Sequence, residues 1–229
     1  MRSPDPLFSM SRPRAFRDVP PPADSPARRI QREVETFVRL TLLSLMVPFT
    51  VITDLVILGN RLGERSVTEW AQALVLLVTA ILCGDAARHE PSARGGYTLM
   101  AGFFACAFCR ELDLVFDKLI FHGSWRLFAG VALAATLALT WRYRATTLPG
   151  LAAFLDRRAY PYFLIGLLIV IVLSRSLGSG RMLWNILGCD DTHRLFKTII
   201  QESLESFGYL LITYGAFLLR REQDATRHA

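Results

Sequence analysis

Apolar runs of roughly 20 residues recur along this chain, set apart by short connectors in which the charges collect. An α-helix rises about 1.5 Å per residue, so roughly 20 residues cross a hydrocarbon core about 30 Å thick. The pattern predicts an all-α, polytopic membrane protein, a bundle of about six transmembrane helices. The spans fall near 37–58, 67–87, 97–117, 125–142, 161–177 and 195–219. Together they use more than half of the 229 residues, so no sizeable soluble domain fits beside them. Residues 28–229 form the six-helix transmembrane domain in this reading.

Residues 1–27 hold seven of the eleven prolines, mixed with Arg, Ser and Asp. That composition cannot bury a core and predicts a disordered tail. The tail is not a secretory signal, because the first apolar run is too long and no small-residue cleavage site follows it. Arg28-Arg29 resembles a twin-arginine start, but Glu33 and Glu35 argue for a short amphipathic helix leading into the membrane.

The formal charge is +6, carried by 24 Arg and 2 Lys, a bias that points to a GC-rich bacterial genome. These cations flank apolar spans rather than gather on one motif, so no nucleic-acid partner is expected. Counted by side, the tail, the second and fourth connectors and the C-terminus hold 16 Lys and Arg, against 8 on the other side. The positive-inside rule then places both termini in the cytoplasm, with the inner (plasma) membrane as the location. Pro48 predicts a kink in span one, and Pro161 suits a helix start. Cys106 and Cys109 form a C-x-x-C within an apolar run. Small buried packing residues explain that pair better than a redox or metal pair.

With this orientation, polar residues inside the spans gather near the outer face. They are Asp54, then Glu69 and Gln72, then Arg110, Glu111, Asp113 and Asp117, then Arg175, and finally Lys197, Gln201, Glu202 and Glu205. Arg110, Asp113 and Asp117 are spaced i, i+3 and i+7, one stripe of a continuous helix. Thr198, Glu202, Glu205 and Tyr209 form a second stripe, and Glu205 lies about 15 Å into its span. A charged side chain at such depth costs about 2.5–3.5 kcal/mol, so Glu111, Asp113, Glu202 and Glu205 facing lipid would cost on the order of 10 kcal/mol. They are expected instead to enclose a polar chamber opening outward.

Seven acids and five bases line that chamber, counting Asp54, Lys118 and Arg126. Close carboxylates cannot all stay ionised in a low-dielectric site, so protons or a divalent metal must balance them. Glu111, Asp113, Glu202 and Glu205 are candidate metal ligands or a general acid and base, with His122 as a further ligand. Arg110, Arg175, Lys197 and Glu69 are candidate substrate contacts, because guanidinium pairs well with anionic headgroups. An amphiphilic or lipid-linked substrate, entering sideways from the bilayer, suits such a place. His193 and Asp190-Asp191 sit near the expected mouth. H-E-x-x-H, G-x-S-x-G and phosphate-binding glycine loops are absent, and Glu202-Ser203-Leu204-Glu205 lacks the Glu-x-x-His of di-iron bundles. An enzyme, a structural ion network in an assembly or sensor protein, and a proton or solute transporter all remain open.

Overall fold

A computed structural model describes residues 25–59, 66–178 and 191–227, with side chains in the last segment described from 195 to 225. The expected disordered tail therefore lies almost wholly outside the described residues, as do Cys189, Asp190 and the side chain of His193. The chain divides into two units, 1–38 and 39–229. The described part of the first is the front of helix α1 (Pro26–Ile52), where Ile30, Val34, Phe37 and Val38 are exposed. All that follows concerns the second unit.

The described secondary structure is entirely helical. After α1 comes a π-helical turn (Thr53–Ile57), then α2 (Val67–His89), α3 (Arg94–Glu111) and the short α4 (Asp113–Leu119). Next are α5 (Trp125–Arg142), α6 (Thr147–Leu155), α7 (Tyr160–Leu168), a second π-helical turn (Ile169–Leu173), α8 (Ser174–Gly178) and the 37-residue α9 (Asp191–Arg227). Three stretches are long and apolar enough to cross a membrane: Pro26–Ile57, Val67–His89 and Tyr160–Gly178. The other long helices, α3, α5 and α9, have charged residues at or within their ends, including Arg110 and Glu111 in α3 and Lys197, Glu202 and Glu205 in α9.

Two features depart from the expected spans. The helix continues through Pro48, and its irregularity is the π-helical widening that starts at Thr53. The third span is interrupted, because Leu112 (φ −92°, ψ 16°) ends α3 and Asp113 opens α4. The charges fit that break: Arg110 lies in the last turn of one helix and Asp113 in the first turn of the next, each favourable to its helix dipole.

Contacts fix the relative directions of the helices. Gln72 meets Ser206, Thr79 meets Thr213, Asp85 meets Arg220 and Glu90 meets Gln223. The sequence offset stays within 133–135 throughout, so α2 and α9 run parallel in constant register. α3 runs against both its neighbours. Gly84 of α2 lies beside Ala101, while Gly102 faces Thr136 and Cys106 donates to the Ala129 carbonyl of α5. α7 and α8 run against α9, with Gly166 on Gly208 and Ser174 on Glu205. Small residues make these approaches possible. A Cβ on Gly102 would overlap Thr136, and one on Gly208 would lie 2.5 Å from Val170.

An aromatic cluster lies away from the polar end. Phe154 of α6 meets Tyr97 and Phe163 edge-on, and Phe163 meets Phe104. Beside it Arg157 pairs with Glu90 at 2.7 Å, and Gln223 donates to the second carboxylate oxygen at 3.0 Å. Partial burial lowers the Arg157 pKa, but Glu90, Tyr97 and Glu222 together more than offset it and leave it above the usual arginine value.

At the opposite end, Asp54 joins α1 to α2. Its carboxylate is 0% exposed and accepts from the Val67 N–H (2.7 Å), the Thr68 N–H (2.9 Å) and the Thr68 hydroxyl (2.6 Å). Ser66 caps the same helix, accepting from the Glu69 N–H at 3.1 Å. The first turn of α2 is thus satisfied twice, once locally and once from α1.

Candidate functional site

The parallel register of α2 and α9, with α3 and α8 beside them, brings polar side chains together at the end where α2 begins. Gln72 is the central donor. Its Nε2 lies 3.0 Å from Glu202 Oε2, 3.2 Å from the Glu202 carbonyl and 2.9 Å from Ser206 Oγ. One amide therefore ties α2 to a full turn of α9.

Glu205, one turn further along α9, is 6% exposed on its side chain. Its Oε1 accepts from Ser174 at 2.7 Å and from Gln201 at 3.3 Å, and Arg175 stands 3.7 Å away. The Ser174 and Arg175 donors come from α8, so this carboxylate joins α8 to α9.

Glu111 closes the group from α3. Tyr209 donates its hydroxyl to Glu111 Oε1 at 3.0 Å, and Arg110 lies 3.9 Å from the same oxygen. The Glu111 side chain is 14% exposed. It lines a cleft of about 270 Å³ bounded by Glu69 and Trp70 of α2, Leu112, and Leu114, Val115, Lys118 and Leu119 of α4. The break at Leu112 lies on the wall of this cleft, between Glu111 and the α4 residues that line it.

The structure thus gathers Glu111, Glu202, Glu205, Arg110 and Arg175, and it sets Glu69 on the cleft wall. The other candidates stand apart. Asp113 accepts from its neighbour, the Leu114 N–H, at 2.6 Å. The stripe through Arg110, Asp113 and Asp117 assumes one unbroken helix, and the turn at Leu112 dissolves it. Asp117 takes the Gly123 N–H and His122 Nδ1, both at 2.7 Å, so His122 serves the α4–α5 connector rather than the cluster. Lys197 meets none of the described carboxylates.

Among the described residues, no three His, Cys, Asp or Glu side chains form a group able to hold a metal ion. Glu111, Asp113, Glu202, Glu205 and His122 are not brought together as one such group among the described residues. The carboxylates face amide, hydroxyl and guanidinium donors instead, the partners hydrogen-bonded anions take when buried. No family model, curated protein or solved structure matches this chain.

Sequence reasoning missed Ser174 and Ser206. Both carried a weak signal: Ser206 is four residues past Glu202, on the same helix face, and Ser174 precedes Arg175. Cys106 and Cys109 are free thiols, and the Cys106 bond to the Ala129 carbonyl marks it as a packing residue between α3 and α5.

Proposed function

We propose that this chain crosses the inner (plasma) membrane six times, with both termini in the cytoplasm, and presents an outward-facing acidic site to amphiphilic or lipid-linked ligands. The alternating helix directions support the path. From α2 to α9 the chain reverses an even number of times, as crossings two to six require. Apolar side chains left exposed along α1, α5 and α7, such as Phe49, Val131 and Ile165, need a hydrocarbon solvent.

One observation carries the site: Glu111 is fixed by Tyr209 beside a cleft whose other walls are largely apolar. A hydrocarbon tail fits against Leu114, Val115 and Leu119, and a polar headgroup fits against Glu111, Glu69 and Lys118. Glu111 is the group placed to exchange a proton with that headgroup. Glu202 and Glu205 have a different role in this reading. Gln72 on Glu202, and Ser174 and Gln201 on Glu205, tie α2 and α8 to α9, so these acids brace the three helices as a structural network. Transport along the α2–α9 seam is disfavoured, because Leu76, Cys83, Ile212, Ala216 and Leu219, each at most 1% exposed, fill it.

Native mass spectrometry in mild detergent tests the ligand. Wild-type protein should retain an amphiphile, Val115→Trp should lose it, and Glu111→Gln should weaken retention. Equal retention by wild type and Val115→Trp refutes the site. Orientation is tested separately in a background without native cysteines. An impermeant maleimide should label Leu119→Cys on intact spheroplasts, and Leu148→Cys only after permeabilisation. Both positions are about three-quarters exposed (76% and 77%), so access to the reagent decides the result.

A further inference from the structure

A second and larger cavity, of about 660 Å³, runs between α2 and α5 over α3. Its volume lies within the roughly 300–1,000 Å³ of ordinary ligand pockets. The floor is Ala101, Gly102 and Ala105 of α3, residues too small to fill the space between the flanking helices. Most of the lining is apolar. Its only charged groups are Arg88 and Arg94, both at the end where α2 finishes and α3 starts.

The two arginines are set up differently. Arg94 Nε donates to the Ala87 carbonyl at 3.1 Å, and its guanidinium lies 5.4 Å over the Tyr143 ring, which also lines the cavity. Those two contacts fix the plane of the fork and commit only one of its nitrogens. Arg88 is exposed and has no protein partner among the described residues. An oriented guanidinium and a free one at the mouth of an apolar groove suit a phosphodiester with an acyl chain attached. In the topology proposed above, this mouth is at the cytoplasmic leaflet, where anionic lipids gather and basic pockets between helices take their headgroups.

We infer that this groove binds one anionic phospholipid of the cytoplasmic leaflet, its phosphate on Arg88 and Arg94 and an acyl chain along Ala101 and Ala105. The inference rests on the membrane reading and is independent of the Glu111 cleft. Selectivity comes from charge, since zwitterionic lipids offer the same chains without the net negative head.

The test is native mass spectrometry of the full chain titrated with phosphatidylglycerol, phosphatidylcholine or glycerol phosphate. Phosphatidylglycerol should bind in preference to phosphatidylcholine, and glycerol phosphate should not bind, because it lacks the chain. Arg88→Gln, on an exposed side chain that holds no structure together, should weaken phosphatidylglycerol about fivefold, and the Arg88→Gln/Arg94→Gln pair about twenty-five-fold. Gly84→Leu should also reduce binding by filling the groove. A Cβ there meets only Ala101 at 3.9 Å, an ordinary contact, and an unchanged unfolding midpoint in the same variant checks that the fold is kept. Equal binding of the two lipids, or unchanged affinity in Arg88→Gln, overturns the inference. Extraction of the protein from membranes by alkaline carbonate would instead overturn the membrane reading, so the two failures are distinguishable.

Discussion

Replacing Asp54 by Ala isolates one device on which the end of the fold where α2 begins depends. The carboxylate is fully enclosed and takes at least three donors, two of them backbone N–H groups of the first turn of α2. In Asp54→Ala the Thr68 N–H becomes a buried donor without an acceptor, which costs about 1–3 kcal/mol. The Val67 N–H, half-buried, adds about 1 kcal/mol on the same scale. Loss of a negative charge at a helix N-terminus adds about 0.3–1 kcal/mol. Hydrogen bonds within membranes average only about 0.6 kcal/mol each, so three of them set a floor near 2 kcal/mol. The expected destabilisation is therefore about 2–5 kcal/mol. Asp54→Asn keeps the shape and one acceptor oxygen but turns an amide N–H toward donors, and should lose about half as much. The assay is unfolding by sodium dodecyl sulfate titrated into dodecyl maltoside micelles. Asp113→Asn is the control, because Asp113 bonds only its neighbour Leu114 among the described residues. Asp54→Ala within about 0.5 kcal/mol of wild type would refute the reasoning, since changes that small are typical of surface positions.

Three more outcomes follow from the packing. Gln72→Leu should cost about 1.5–3 kcal/mol in the same titration, because its amide bonds a carboxylate, and its effect should be non-additive with Glu202→Gln by at least about 0.5 kcal/mol; strict additivity would mean the two do not act as one contact. Gly102→Ala should lose about 1–3 kcal/mol through overlap with Thr136, and Thr136→Gly should recover most of it, as measured by thermal unfolding in detergent. Tyr209→Phe removes the hydroxyl that holds Glu111. Wild type and Tyr209→Phe should differ in amphiphile retention by about five- to tenfold while their unfolding midpoints stay close, whereas a purely structural hydroxyl would move the midpoint and leave retention alone.

Much of this was legible in the sequence because the bilayer leaves few choices. Buried acids that cannot face lipid must face each other or donors, and that argument alone brought Glu111, Glu202 and Glu205 to one end of the molecule. It did not say which helix would supply the donors. Gln72 reaches Glu202 because α2 and α9 keep a constant register over five turns, a long-range property that no local spacing encodes. Asp54 was readable as an outer acid but not as a cap, since its partners lie 13 and 14 residues on, across a connector.

The break at Leu112 shows how a small local choice redirects a site. A reading of one continuous helix puts Asp113 and Asp117 on the face of Arg110 and adds them to the acids of the cluster. The actual turn engages Asp113 and Asp117 with nearby backbone N–H groups, with His122 beside Asp117, so neither makes a direct contact with the other acids of the cluster. Glu111, Glu202 and Glu205 remain, near Arg110 and Arg175. At the contacts themselves three acids face two bases, an excess of one against an excess of two in the full count. The same turn lies between Glu111 and the α4 residues that line the cleft. A variant that restores helix continuity, such as Leu112→Ala with Asp113→Ala, should close the cleft and lose amphiphile retention even though Glu111 and Tyr209 are intact. Retention unchanged in that variant, with α4 shown by cysteine accessibility to have straightened, would separate the cleft from the break.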